Sequence, residues 1–148
     1  MGKKTIETIT GQINKNRVQK MPHTGHYLYQ GKPSEMFHAL QKNIGPELVL
    51  TSGIRSVVKQ FVLFLDKAFQ SRGNLSMASR SLAPPGYSYH FLGDFDVGEK
   101  GFGKANFTEE FTQTRVYKKL TDLGYISFRY EQNNELGVRF EPWHIEVV

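Results

Sequence analysis

Two kinds of apolar spacing alternate along this chain, and glycine or proline separates most of the segments that carry them. Helical spacing is found in three segments, at 34–45, 57–72 and 108–124. Short aliphatic or alternating runs, which are typical of strands, lie at 47–51, 89–97, 125–130 and 138–148. Because helices and strands are interspersed and the last two strands are close enough to pair antiparallel, the pattern predicts an α+β fold with a small antiparallel sheet.

The chain of 148 residues has the length of one domain. Residues 1–33 are polar and interrupted by glycines, which favours an N-terminal arm that wraps the domain formed by residues 34–148. Ser34 is expected to cap the first helix. The phenylalanines that we expect in the core are Phe61, Phe64, Phe69 and Phe111.

The balance of charges restricts the partners of the chain. Lys and Arg outnumber Asp and Glu by 19 to 14, which favours polyanionic partners such as nucleic acid, anionic lipid or a cell-wall polymer. The basic residues are scattered rather than arranged in a stripe with interleaved aromatic residues, so we expect no nucleic-acid partner. We also expect no membrane span, because the longest apolar run, at 61–65, is far shorter than the roughly 18 residues that a span requires.

The absence of cysteine narrows the possible chemistry. It excludes disulfides, cysteine-ligated zinc and a thiol nucleophile, so any metal site must use His, Asp and Glu. No apolar segment of the kind found in secretion signals follows Lys3 and Lys4. We therefore expect a periplasmic, extracellular or cell-wall protein if a leader has been removed, and a cytoplasmic protein otherwise.

One group of candidate metal ligands surrounds His90. If residues 89–97 form a strand, a period of two places His90, Asp94 and Asp96 on one face, between large aromatic neighbours. Burying these groups without a counter-charge is costly, so a bound cation would explain them. The alternative is a surface turn in which both aspartates are solvated.

A second candidate group lies near the C-terminus, in the segment Glu141-Pro-Trp-His144, which contains the single tryptophan. A zinc hydrolase needs one residue that binds the metal and a carboxylate beside the bound water that does not bind it. Glu141 and His144 could supply that pair, although a carboxylate three residues before a histidine is a common spacing.

Taken together, three segments resemble the ordered signature of the VanY-like zinc D-alanyl-D-alanine carboxypeptidases, which are related to VanX dipeptidases and to phage L-alanyl-D-glutamate endopeptidases. The segments are Ser52-Gly-Ile-Arg-Ser-Val-Val-Lys-Gln60, Pro85-Gly-Tyr-Ser-Tyr-His-Phe-Leu-Gly93 with an aspartate close behind, and Glu141-Pro-Trp-His144. The resemblance covers residues 34–148. It implies the hedgehog/DD-peptidase-like fold, with helices packed against a small antiparallel sheet.

The chain departs from the family pattern in the second segment. The family places its aspartate seven residues after the first histidine, where this chain has Val97. A deletion of one residue would bring Asp96 into the ligand position, and Asp94 is the alternative. The resemblance thus implies a Zn²⁺ bound by His90, Asp96 and His144.

The same resemblance implies roles for four further residues. Glu141 matches the general base and Arg55 the arginine that contacts the scissile carbonyl oxygen, while Ser88 and Gln60 match positions in the substrate pocket. The expected substrate is a peptidoglycan stem peptide or another peptide of the D-Ala-D-Ala type, and we expect a monomer. Carboxypeptidase, dipeptidase and endopeptidase activity remain open. The alternative is a non-catalytic relative that binds metal or cell wall, which the shortened spacing after His90 would suit.

Overall fold

A four-stranded antiparallel sheet forms the centre of the fold in a computed structural model, which describes residues 13, 15–83 and 87–148. The strands of this sheet are β3 (Leu48–Ser52), β4 (Phe95–Glu99), β5 (Phe128–Tyr130) and β6 (Glu141–Ile145). Their order is β3-β4-β6-β5, and all neighbours are antiparallel. All of β6 and all but the last residue of β4 are buried, since these two strands lie in the middle of the sheet. The predicted α+β fold with a small antiparallel sheet is confirmed.

A short hairpin precedes the sheet, formed by β1 (Val18–Lys20) and β2 (Tyr27–Tyr29). It lies within the segment predicted to be an arm. Met21 and Leu28 of this segment are buried in the hydrophobic core, so part of the segment packs into the domain. The boundary between residues 33 and 34 stays a prediction, and residues 1–12 lie outside the described part of the chain.

The first helix, α1 (Lys32–Ile44), begins earlier than expected, so the prediction that Ser34 caps it was wrong. Gly31 occupies the cap position, and the hydroxyl of Ser34 donates instead to the Gly31 carbonyl at 3.2 Å. Pro33 explains the early start, because proline is well suited to the first turn of a helix. Phe37 and Leu40 of α1 are buried in the core.

Helix α2 (Val57–Gln70) lies where the apolar spacing predicted it, and the Ser56 hydroxyl caps it by accepting from the Lys59 amide. Its expected burial was wrong at two positions, because Phe61 is 50% exposed and Phe69 is 86% exposed. Phe64 is half-buried and is not part of the core cluster. Periodicity identifies an apolar face but not whether another element covers it. The helix packs against α3 (Leu75–Ser81), while its Gln60 and Ala68 face inward. Phe111 is buried, as predicted.

Two further predicted elements are divided in the structure. The expected strand at 89–97 is instead the short helix α4 (Tyr89–Leu92) followed by β4, because the Ser88 hydroxyl caps a helical turn and Gly93 ends it at a positive φ of 134°. The expected helix at 108–124 is a 3-10 turn at Glu109–Gln113 and then α5 (Arg115–Asp122), which the Thr114 hydroxyl caps. In the described ranges, no helix is long and apolar enough to cross a membrane.

Candidate metal centre

Three predicted ligands meet at one end of the central strands. Asp96 on β4 and His144 on β6 are direct register partners, and His90 on α4 precedes β4. One ligand atom from each of the three residues lies within 4.8 Å of the others. All three side chains are almost completely buried. The structure therefore brings together the set that the resemblance implies, although His90 reaches it from a helix rather than from a strand.

The ring of His90 is held with one nitrogen turned toward this group. Its Nδ1 lies 3.0 Å from the Gly53 carbonyl, which can only accept, so Nδ1 carries the hydrogen. Burial lowers the pKa of His90 to about 4, so the ring is neutral at neutral pH. The lone pair of Nε2 consequently faces Asp96, whose Oδ2 is 3.3 Å away. This is the tautomer that a metal ligand requires.

Gly53, in the segment Ser52-Gly-Ile-Arg-Ser, lies where two backbone segments approach each other closely. A Cβ atom at Gly53 would lie 2.2 Å from the backbone oxygen of Tyr27, at the start of β2. The amide of Ile54 donates to the same oxygen at 2.9 Å. A residue without a side chain at position 53 lets these backbones approach, and this approach places the carbonyl that holds His90.

His144 is oriented by a second aspartate. Its Nε2 lies 2.9 Å from Asp94 Oδ2, while its Nδ1 lies 3.4 Å from Asp96 Oδ1 and 3.4 Å from Glu141 Oε2. Burial by itself would lower the pKa of His144, but the bonds to Asp94 and Glu141 and the charge of Asp96 raise it to about 9. A proton on Nδ1 therefore offsets part of the negative charge of the Asp96 and Glu141 carboxylates.

Asp94 lies behind His144 and outside the metal-ligand group. Its side chain is fully buried and accepts hydrogen bonds from the Arg129 guanidinium at 2.9 and 3.2 Å and from the Val147 amide at 2.8 Å, in addition to the His144 ring. These donors occupy both carboxylate oxygens. The geometry favours Asp96 over Asp94 as the metal ligand, and the assignment itself stays a prediction.

Asp96 has the unmet bonding that a cation would satisfy. Its Oδ2 accepts from Arg55 Nη2 at 3.1 Å, but its buried Oδ1 has no hydrogen-bond partner among the described residues. Burial tends to raise the pKa of Asp96, yet the two histidines and Arg55 lower it to about 2, so the group is ionised. Its Oδ2 lies 3.3 Å from His90 Nε2 and its Oδ1 lies 3.4 Å from His144 Nδ1, so each carboxylate oxygen faces one histidine. Imidazole nitrogens and carboxylate oxygens are ligands that zinc prefers in proteins, and the residues present thus fit a zinc ion.

The other predicted site residues line the same cavity, which has a volume of about 330 Å³. Arg55 is held by three side chains, since its guanidinium also donates to Ser52 Oγ at 3.1 Å and Gln60 Oε1 at 3.5 Å. Gln60 is almost fully buried and donates to the Ala83 carbonyl at 2.5 Å, so both its polar atoms are used within the protein. The role in substrate binding that was expected for Gln60 stays a prediction.

Ser88 and Glu141 each contact one of the predicted ligands. Ser88 Oγ accepts from the amide of His90 at 3.3 Å, and its expected contact with substrate stays a prediction. Glu141, at the start of β6, has its carboxylate beside His144 but outside the three-residue ligand group. This is where a carboxylate that handles protons without binding the metal should lie. Pro85 and Gly86 of the second motif lie outside the described residues.

Sequence reasoning missed several residues that shape the site. Arg129 forms an ion pair with Asp94, and Arg139 lies in the cavity beside Glu141. The ring centres of Tyr130 and His144 lie 4.9 Å apart in an edge-to-face arrangement. Only Arg139 carried a signal, because it stands two residues before Glu141. Arg129 is 35 residues from Asp94, and no local pattern links the two.

A buried group of two histidines and one aspartate, with a further carboxylate beside it in a cavity, is the arrangement of a mononuclear metal-dependent hydrolase. The sequence pattern of the VanY family, described as D-alanyl-D-alanine carboxypeptidase, matches residues 26–148. The chain therefore belongs to the VanY family, and its family and fold indicate a peptidase that acts on peptidoglycan peptides. Among curated proteins, no sequence relative matches the chain.

Three solved structures illustrate the likeness. The LdcB LD-carboxypeptidase is 26% identical, with a TM-score of 0.70 over 93% of this chain and 71% of that chain. The vancomycin-resistance D,D-dipeptidase VanXYg, in complex with a D-Ala-D-Ala phosphinate analogue, is 20% identical, with a TM-score of 0.69 over 92% and 61%. The D,D-pentapeptidase VanY, in complex with Zn(II), is 19% identical, with a TM-score of 0.61 over 95% and 81%. These likenesses confirm the fold that the resemblance implied.

Proposed function

We propose that this protein is a zinc-dependent carboxypeptidase that releases the C-terminal D-alanine from peptidoglycan stem peptides. The observation that carries the proposal is the buried group of His90, Asp96 and His144, in which Asp96 Oδ1 accepts no hydrogen bond from the described residues and Glu141 lies alongside. Family membership supplies the substrate class. The zinc complex of VanY and the D-Ala-D-Ala analogue bound to VanXYg support the metal and the bond.

His90 Nε2, Asp96 and His144 Nδ1 are the groups that would hold the zinc ion. When bound, zinc supplies a positive charge and lowers the pKa of a water molecule at its open position to about 7. The protein prepares these ligands in advance, since the Gly53 carbonyl and Asp94 each hold the outer nitrogen of one histidine. Such outer bonds fix the ring orientation and its tautomer.

Glu141 is the group placed to move protons. As general base, it takes a proton from the attacking water and then returns it to the amine of the departing amino acid, so that the C–N bond breaks without releasing an unstable amide anion. Its position three residues before His144, with Pro142 between them, keeps it beside the ligand group. Arg55 is the residue that we assign to the scissile carbonyl oxygen, where a fixed positive charge stabilises the developing oxyanion.

The scissile bond is tested with two muropeptides. Zinc-loaded protein is incubated with a stem pentapeptide that ends in D-Ala-D-Ala and, separately, with a tetrapeptide that ends in a single D-alanine, and products are identified by mass spectrometry. Loss of one D-alanine from the pentapeptide is the expected result. Glu141→Ala is the matched control, because it should keep the zinc and lose the products. A zinc-loaded wild-type protein that cleaves neither peptide would instead be the non-catalytic relative considered above.

The tetrapeptide addresses a second candidate, an L,D-carboxypeptidase that cleaves the bond between an L-residue and a terminal D-alanine. The observation in its favour is the likeness to LdcB, an LD-carboxypeptidase with the highest identity of the three compared structures. Release of D-alanine from the tetrapeptide but not from the pentapeptide would select this activity. Both activities share the ligands, the base and a free C-terminal carboxylate.

A further inference from the structure

Three cationic side chains line the cavity that holds the candidate metal centre: Arg55, Lys67 and Arg139. They are not equally free to bind a substrate. Arg55 is 13% exposed and donates to Ser52, Gln60 and Asp96. Three of the five N–H groups of Arg55 therefore already have acceptors within the protein, and we assign its remaining capacity to the scissile carbonyl oxygen rather than to a carboxylate of the substrate.

Arg139 differs from Arg55 in exposure and in bonding. Its side chain is 45% exposed, and its nearest carboxylate is that of Glu141, with Nε 3.7 Å from Oε1, beyond hydrogen-bond range. In the described part of the chain, no acceptor forms a hydrogen bond with its guanidinium. Its central carbon lies 5.1 Å from the centre of the Trp143 ring, which is itself buried. A cation stacked in this way is held in place while its donors remain available.

The position of Arg139 beside Glu141 indicates what these donors would meet. In the proposed reaction, Glu141 returns a proton to the amine of the leaving amino acid. In a C-terminal amino acid, only the α-carbon separates this nitrogen from the carboxylate carbon, a distance of about 2.5 Å from standard bond lengths. A leaving amine at Glu141 therefore places its carboxylate within reach of the neighbouring guanidinium.

We propose that Arg139 binds the free α-carboxylate of the amino acid that is released, and so restricts cleavage to the C-terminal bond. This inference rests on the proposed function. Arginine suits the task, because two of its N–H groups can bind both oxygens of one carboxylate. At an internal peptide bond the same position holds a neutral carbonyl, which lacks the charge and the second oxygen. The guanidinium thus selects carboxypeptidase over endopeptidase activity.

The test compares two peptides that differ only in this carboxylate: N-acyl-L-Lys-D-Ala-D-Ala and its C-terminal amide. For the zinc-loaded wild type, kcat/KM should be 10- to 100-fold higher for the acid than for the amide, a range set by the partial exposure of Arg139. Arg139→Gln should lower kcat/KM for the acid by the same factor, mainly through KM, and change the amide less than threefold. Arg139→Lys should recover part of the loss. Arg115→Gln, an exposed arginine on α5, is the charge-matched control and should behave as wild type.

A binding measurement separates this inference from the proposed function. Both peptides are titrated into zinc-loaded Glu141→Gln, with and without Arg139→Gln, so that affinity is read without turnover. The acid should bind more tightly than the amide only when Arg139 is present. Equal affinity for both peptides overturns the inference even if the wild type is active. A preference that depends on Arg139 supports it even if no turnover occurs, in which case the proposed function alone fails.

Two further outcomes would also overturn the inference. If Arg139→Gln lowers kcat/KM for acid and amide equally and shifts the pH profile, Arg139 positions Glu141 rather than binding substrate. If Lys67→Gln abolishes the preference for the acid while Arg139→Gln preserves it, the carboxylate binds to the other cation of the cavity.

Discussion

Replacing Asp94 by asparagine tests whether this buried carboxylate controls how His144 binds metal. Asp94 Oδ1 faces the Val147 amide at 2.8 Å and Arg129 Nη2 at 3.2 Å, so the asparagine oxygen should take this side. The new NH₂ group would then face His144 Nε2, which is 2.9 Å from the present Oδ2. Because this NH₂ can only donate, it favours the tautomer with hydrogen on Nδ1, the nitrogen that faces the metal-ligand group.

Asp94→Asn should lower both the metal affinity and the folding stability of the protein. Loss of an outer-shell partner of a metal-binding histidine typically lowers metal affinity by about 10- to 100-fold. In addition, Arg129 Nε loses its acceptor at 2.9 Å, and the side chain of Arg129 is only 11% exposed. Breaking a buried ion pair of this kind costs about 3 kcal/mol of folding free energy. The cost in metal affinity should appear even in protein that remains folded.

The assay is zinc titration against a competing chelator, with urea denaturation of the metal-free protein measured on the same preparation. Asp96→Ala should bind zinc far more weakly than Asp94→Asn, because it removes a ligand rather than a support. Asp122→Asn, at an acidic residue on the surface of α5, is the control for loss of one negative charge. Wild-type zinc affinity in Asp94→Asn would refute the reasoning about His144. Full retention of zinc in Asp96→Ala would show that the ligand assignment is wrong.

Three further predictions concern the base, the backbone approach and the pH dependence. Glu141→Ala should lower kcat by about 10²–10⁴-fold while retaining about one zinc per protein, and zinc loss measured on the same preparation would make Glu141 a ligand instead. Gly53→Ala should destabilise the protein by about 2 kcal/mol in urea denaturation and weaken zinc binding, because its Cβ would lie 2.2 Å from the Tyr27 oxygen; unchanged stability would contradict this. Without metal, the stability from His90, whose pKa burial lowers to about 4, should fall by about 3 kcal/mol as the pH drops from 6.5 to 4. The stability contributed by His144, whose pKa is raised to about 9 despite burial, is complete below pH 6.5 and is lost as the pH rises through 9. Denaturation midpoints should therefore peak near pH 6.5, and a monotonic profile would contradict both pKa shifts.

The arrangement of outer contacts shows how a small domain prepares a metal centre. The two histidines are held by different parts of the fold, His90 by the backbone carbonyl of Gly53 and His144 by the Asp94 carboxylate, which accepts from the Val147 amide. Both contacts depend on residues outside the three sequence motifs, namely Tyr27 at the start of β2 and the Asp94 partners Arg129 and Val147. A variant at one of these positions should therefore alter metal affinity without replacing a ligand.

The sequence by itself identified the residues of the candidate site and determined much of the local structure. The three motifs contain His90, Asp96, His144, Glu141 and Arg55, and the structure brings these residues to one cavity. Helix α2 and its Ser56 cap also follow from local spacing and from a side chain that reaches an amide three residues away. These features depend on neighbours within one or two turns of chain, so a linear pattern is sufficient to predict them.

Only the tertiary structure shows that the two aspartates near His90 have different surroundings. Both are acidic and close in sequence, but Asp94 meets Arg129 and the Val147 amide, which are 35 and 53 residues away, whereas Asp96 pairs with His144 across β4 and β6. The exposure of Phe61 and Phe69 on α2 was also decided by the tertiary structure, since helical periodicity does not reveal whether another element covers them. Partners distant in sequence leave no periodic signal, and they determine which groups are satisfied and which are left for a ligand.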